Sequence, residues 1–173
     1  ASAPVSASEA NSESNPEGGL RGVARSPNAA PDFELVLFGN ENQEKGEVLR
    51  LSQLTGKPVV INFWFPSCPP CRLEMPDLEN TFKNHRDDGV EFLGVQQLGL
   101  DSVEDGQLFV DDFGVTFAVG PDSENSIIID YGVLGFPSTV FLSRSHEIVR
   151  QWTGLLNAEL MEEFVQELLE RPE

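Results

Sequence analysis

Apolar positions change their spacing several times along this chain, and each change marks an element. Phe33-Glu34-Leu35-Val36-Leu37-Phe38 carries strand-favouring residues, the polar run Gly39 to Gly46 reads as a loop, and Val48-Leu49-Arg50-Leu51 resumes the apolar pattern. An antiparallel hairpin is expected there. Pro58 to Phe65, PVVINFWF, is a short continuous apolar run, as a central strand covered on both faces requires. Beyond Cys68, Leu73, Leu78 and Phe82 recur at helical spacing, and Pro76 is expected to bend that helix. A strand over 90–95, a helix over 102–113 with an acidic first turn, a strand over 115–119 and a helix over 123–131 ending at Gly132 follow. Strands over 138–143 and 147–153 are joined by the polar turn Arg144-Ser145-His146. Asn157 then starts an amphipathic helix over 158–170 with Leu160, Phe164, Leu168 and Leu169 on one face. Strands alternating with helices and closing in a hairpin and a helix make an α/β fold, a mixed central sheet flanked by helices.

Composition adds a boundary. Residues 1–31 are dominated by Ala, Ser, Pro, Gly, Asn and Glu, too few large apolar side chains to offset the entropy of ordering the backbone. A flexible linker is expected over 1–31 and one folded domain over 32–173, since 173 residues with 39% hydrophobic content bury one ordinary core. The chain begins at Ala1, and the linker is read as a tether from a removed signal peptide or membrane anchor.

The formal charge is −18, which sets the surface against nucleic acid and anionic headgroups. Neither is expected as a partner. No run of apolar residues approaches the roughly 20 needed to cross a bilayer.

The chain has 2 cysteines, too few for the disulfide framework of a small secreted protein. They stand together in Trp64-Phe65-Pro66-Ser67-Cys68-Pro69-Pro70-Cys71, so the pair is catalytic, metal-binding or a lone staple. A strand followed by C-x-x-C and a helix puts Cys68 near a helix N-cap, where unpaired N–H groups and the dipole favour an anion such as a thiolate. Cys68 is then the natural nucleophile. Cys71, within one turn, can close the disulfide and release a trapped partner. Zinc would need two further ligands, and the 2 histidines, His85 and His146, stand at no finger-like spacing. Both histidines read as surface residues. No metal and no cofactor beyond the Cys68–Cys71 dithiol is expected.

Several segments in fixed order carry a resemblance. Ala30-Pro31-Asp32-Phe33, Leu51 to Lys57 (LSQLTGK), Asn62-Phe63-Trp64, the CPPC, Arg72-Leu73-Glu74-Met75-Pro76 and Gly135-Phe136-Pro137-Ser138-Thr139 together resemble the thioredoxin superfamily. Within it, they resemble the TlpA/ResA/CcmG-like extracytoplasmic thiol-disulfide oxidoreductases. The resemblance implies a thioredoxin-like fold with an N-terminal hairpin and a cis Phe136–Pro137 bond facing the disulfide. It makes Glu74 the active-site acid, on the face of Cys71, while Asn62 replaces the buried aspartate of cytoplasmic thioredoxins and cannot move a proton. Phe136 and Pro137, with Pro69, Pro70 and Trp64, are the candidate substrate contacts, although Trp64 also suits a core position. Many relatives carry Trp immediately before the first cysteine; this chain has Ser67.

The implied activity is exchange of disulfides with extracytoplasmic proteins, as a reductase, for example in cytochrome c maturation. The expected protein is a monomer fed by a membrane thiol electron donor. Alternatives are a disulfide oxidase or isomerase, and a Sco-like copper-delivery module, which wants C-x-x-x-C and a distant histidine. A peroxiredoxin needs Pro-x-x-x-Thr/Ser-x-x-Cys, and counting back from Cys68 gives Phe65 and Ile61, from Cys71 Cys68 and Trp64. Neither thiol fits.

Overall fold

A computed structural model describes residues 26–172. The apolar run after Pro58 becomes β3 (Val59–Trp64), every residue of it buried. It sits at the centre of a five-stranded sheet ordered β5-β4-β3-β6-β7, with β4 (Glu91–Gln96), β5 (Ala118–Pro121), β6 (Ser138–Leu142) and β7 (Ile148–Thr153). β3, β4 and β5 run parallel, while β6 and β7 are antiparallel, giving the mixed sheet that the alternation of elements predicts. The expected hairpin is a separate antiparallel pair, β1 (Glu34–Val36) and β2 (Val48–Arg50), with Leu35 facing the core.

Strand parity sorts the core into two clusters. Val59, Ile61 and Phe63 pack with Leu35, Leu93, Val140, Ile127 and Tyr131 on one face of the sheet. Val60 and Trp64 point the other way, to the cluster of Cys68, Cys71, Met75, Leu78, Phe109 and Phe164. That second face is covered by α1 (Pro69–His85), α2 (Val103–Phe113) and α4 (Ala158–Glu170), whereas α3 (Ser126–Asp130) lies on the first. Asn62, between Val60 and Trp64, therefore points beneath α1.

Four expectations need correction. The strand placed over 115–119 starts at Ala118, because Val115 closes the Gly114 cap of α2 by donating to Val110 O and Thr116 is taken by Glu79. The helix placed over 123–131 is only Ser126–Asp130; Asp122 Oδ2 accepts from Ile128 N–H and holds the preceding residues as a turn. The end of the expected linker is part of the fold: Ala29 bridges Glu147, Ala30 N–H donates to His146 O at 2.9 Å, and Pro31 O accepts from the Tyr131 hydroxyl. Backbone hydrogen bonds secure these small residues, which composition alone does not register; residues 1–25 lie outside those described. Finally, His85 and His146 are buried rather than superficial. His85 spans Asp88 at 2.9 Å and Glu162 at 2.6 Å, tying the end of α1 to α4, and His146 Nε2 meets Leu54 O at 3.2 Å.

α1 runs through Pro76 without interruption. Among the described residues no helix is long and apolar enough to cross a membrane.

Candidate active site

β3 delivers the chain to α1 through Phe65-Pro66-Ser67. Cys68 is the N-cap residue, with extended backbone, and its Sγ accepts from Cys71 N–H at 3.3 Å. Pro69 and Pro70 fill the first two helical positions, where the missing N–H groups cost no intrahelical bond and the fixed φ suits the helix. Cys68 and Cys71 are joined by a disulfide with Cα atoms 5.2 Å apart. Both cysteines are buried, at 2% and 1% exposure, so accessibility does not separate the two sulfurs and the capping position does.

One turn past Cys71, Glu74 points into the protein and is 1% exposed. Its Oε2 accepts from Leu156 N–H at 2.7 Å and its Oε1 from Asn62 Nδ2 at 2.8 Å. The same amide nitrogen reaches Thr139 Oγ1 at 3.2 Å, and Asn62 and Thr139 are paired across β3 and β6. Burial, which penalises the carboxylate, raises the Glu74 pKa to about 7 against the two hydrogen bonds that favour the ion, with the Asp77 charge adding to the rise. Such a group is half protonated at neutral pH, able both to accept and to return a proton.

Phe136–Pro137 is a cis peptide. The register that pairs Phe63 with Ser138 sets Pro137 beside the end of β3, from which the cysteine loop departs. Pro137 is buried, and the half-buried Phe136 packs edge-on against Phe65 at 5.4 Å and against the cluster containing both cysteines. Of the expected substrate contacts, Pro69 is exposed and Pro70 half-buried. Trp64 is a correction: it is 0% exposed and stacks on Phe109 at 4.4 Å, because strand parity turns it under α2 and away from any partner. Leu73, Leu134 and Leu155 stand exposed on the segments that carry Glu74, Pro137 and Leu156. Leu73, which the helical spacing groups with Leu78 and Phe82, is exposed while those two are buried, and periodicity singles out neither Leu134 nor Leu155.

The structure thus brings Cys68, Cys71, Glu74, Phe136 and Pro137 into one region. Sequence reasoning had set Asn62 aside as chemically inert and had passed over Thr139 and Leu156; the pairing of β3 with β6 is the signal for Thr139, and nothing local marks Leu156. Among the described residues no cluster of three or more His, Cys, Asp or Glu is arranged to hold a metal ion.

Comparison with known proteins agrees with this geometry. The model of the AhpC/TSA family matches residues 27–151. The thiol-disulfide oxidoreductase ResA of Halalkalibacterium halodurans is 35% identical over 146 residues, 84% of this chain and 78% of that protein. Among solved structures, a Chlorobium tepidum protein provisionally assigned as thiol:disulfide interchange protein DsbE superimposes with a TM-score of 0.72 at 27% identity, covering 82% of this chain and 96% of that one. A secreted Mycobacterium tuberculosis disulfide oxidoreductase homologous to E. coli DsbE does so with a TM-score of 0.63 at 27% identity, covering 71% and 90%.

Proposed function

Because this chain belongs to the AhpC/TSA family of thioredoxin-like proteins and its relatives include ResA thiol-disulfide oxidoreductases, we propose that it is a protein-disulfide reductase working outside the cytoplasm. The observation that carries the reading is the arrangement around α1: a dithiol pair at its N-terminus and, one turn on, a buried carboxyl with a pKa of about 7. Peroxidase chemistry is not proposed, since Phe65 and Ile61 occupy the positions where that pattern needs Thr or Ser and Pro.

In the forward reaction the Cys68 thiolate attacks one sulfur of a partner's disulfide. A Cys68–partner bond forms, the partner's own bond breaks, and its leaving sulfur takes up a proton. Cys71 then gives its proton to the Glu74 carboxylate and attacks Cys68 Sγ. The second partner sulfur leaves and takes the proton held by Glu74, the partner holds two thiols, and the two electrons it gained have come from the Cys68–Cys71 pair, now a disulfide. A membrane thiol donor returns the electrons by the same exchange in reverse. No redox group beyond this pair is required.

The partner approaches over Pro69, Leu73, Leu134, Phe136 and Leu155, an apolar surface suited to an extended segment pairing beside Pro137. The name of the M. tuberculosis neighbour, a secreted protein, supports an extracytoplasmic setting. Thiols kept reduced for cytochrome c maturation are the proposed substrates, and the working unit is a monomer.

Trapping tests the reading. A Cys71→Ser variant of the full chain should accumulate mixed disulfides with extracytoplasmic proteins through Cys68, identified by mass spectrometry, and Cys68→Ala should accumulate none. Adducts forming through Cys71 in Cys68→Ala at comparable rates would overturn the assignment of the nucleophile.

A further inference from the structure

Ser67, the residue at which this chain departs from the aromatic one of many relatives, is committed to a carboxylate. Its N–H and its hydroxyl both donate to Asp101 Oδ2, at 3.0 and 2.8 Å. Asp101 lies 34 residues further along, in the loop between β4 and α2, so the contact joins the cysteine loop to a different part of the fold.

The consequence concerns the donors around Cys68. Cys68 N–H donates to Phe65 O at 3.1 Å and Arg72 N–H to Cys68 O at 3.1 Å. Pro69 and Pro70 have no N–H, and Ser67 N–H is spent on Asp101. Cys71 N–H is then the one backbone donor from residues 67–72 that reaches Cys68 Sγ. The carboxylate of Asp101 is thus bonded twice to the residue immediately before this sparsely solvated sulfur. The groove alongside is lined by Asp101, Asp105 and Asp112 with Arg72 as its cation. Arg72 is engaged by Pro66 O at 3.1 Å and by the rings of Phe109 and Phe113. Asp105 caps α2 through Ser102. Glu74, on α1 itself, is the other titratable group near the pair.

We infer that Asp101 is a positioning residue that tunes Cys68: it holds the segment leading into the nucleophile, and its charge disfavours the thiolate. A like charge nearby raises a thiol's pKa, and a less stable thiolate makes the reduced pair a stronger electron donor. Ser67 and Asp101 thereby reinforce what the two prolines do by omission.

The inference rests on Cys68 being the attacking thiol. It is tested on the full chain by two readouts that need no protein partner. The first is the pH dependence of Cys68 alkylation by iodoacetamide, resolved by peptide mass. The second is equilibration with dithiothreitol, in which the Cys68–Cys71 bond breaks, two electrons pass to its sulfurs, and the reagent closes to its cyclic disulfide while its protons go to the un-ionised thiols. Asp101→Asn keeps an acceptor for Ser67 and removes the charge. It should lower the Cys68 pKa by about half a unit and shift the equilibrium about threefold toward the dithiol, roughly 14 mV for this two-electron couple. Asp101→Glu, which keeps the charge, should stay with the wild type. Raising KCl from about 0.05 to about 1 M on the wild type, which screens a part-exposed carboxylate, should move the pKa in the same direction as Asp101→Asn. An Asp101→Asn protein titrating like the wild type, or an Asp101→Glu protein shifting as far as Asp101→Asn, overturns the inference. So does a wild-type pKa that ignores salt. If such a protein still traps partners through Cys68, only the role of Asp101 fails and the proposed function stands.

Discussion

The Asn62 amide donates to Glu74 Oε1 at 2.8 Å in a place where neither side chain reaches solvent. An amide that cannot move a proton thus sits where it holds one that can. The carboxyl group is kept between a side-chain donor from β3 and the Leu156 N–H from the loop before α4.

Glu74 makes stability and rate depend on pH in opposite senses. Its pKa is about 7 in the fold against an ordinary 4.5, so the folded state binds the proton more tightly. Its contribution to stability is fully present below pH 4.5 and lost as pH rises through about 7, by about 3 kcal/mol at most. Resolution of the mixed disulfide needs the carboxylate as base and should rise over the same range. Glu74→Gln should remove that component of the stability profile in urea titrations and slow resolution by about 10² or more in stopped-flow assays. Wild-type rates across pH 5 to 9 would end the role assigned to this residue.

Asn62→Ala should act through Glu74. Removing the donor leaves Oε1 without its side-chain partner at depth, which costs about 1–3 kcal/mol and favours the protonated carboxyl. The inflection near pH 7 in the resolution rate should move upward, and Asn62→Gly would do the same with further backbone loss. Asn62→Ala leaving the inflection in place would show that Leu156 N–H alone sets the ionisation.

Pro69 and Pro70 remove two donors from the first turn of α1, and Asp101 takes a third from Ser67. The dipole remains, but the hydrogen-bond support for a Cys68 thiolate is thin. The pair should therefore have a reduction potential nearer the roughly −270 mV of thioredoxin than the roughly −120 mV of a strong periplasmic oxidant. Equilibration with glutathione and dithiothreitol series measures it. A value above about −180 mV would reassign the protein to oxidation or isomerisation of disulfides.

His85 supplies a second pH-dependent tie, away from the cysteines. Burial opposes its charged form, yet the hydrogen bonds to Asp88 and Glu162 and their charges outweigh that and raise its pKa above 6.5. The stabilisation it gives is fully present below pH 6.5 and fades as pH rises through the elevated folded value. His85→Gln should cost about 1 kcal/mol at pH 6 and less at pH 9, since Asp88 and Glu162 are themselves well exposed. Equal losses at both pH values in thermal or urea melts would assign the effect to packing.

Much of this molecule is legible from its residues in order. The continuous apolar run after Pro58 reads as a strand covered on both faces, and a C-x-x-C placed after it and before a helical repeat puts one sulfur at an N-cap. The closing helix falls at Ala158–Glu170, where its amphipathic spacing predicts it. These are local properties: propensity, parity and capping act over a few residues, so the chain states them directly. The cross-chain contacts are different in kind. Leu156 N–H reaches Glu74 across 82 residues and Asp101 reaches Ser67 across 34, and the burial that moves the carboxyl to about pH 7 exists only once α1 lies on the sheet. Desolvation and charge proximity depend on distance in space. A carboxylate looks the same in the sequence whether it caps a turn in water or sits buried beside a disulfide, and only the packed fold makes Glu74 the second of these.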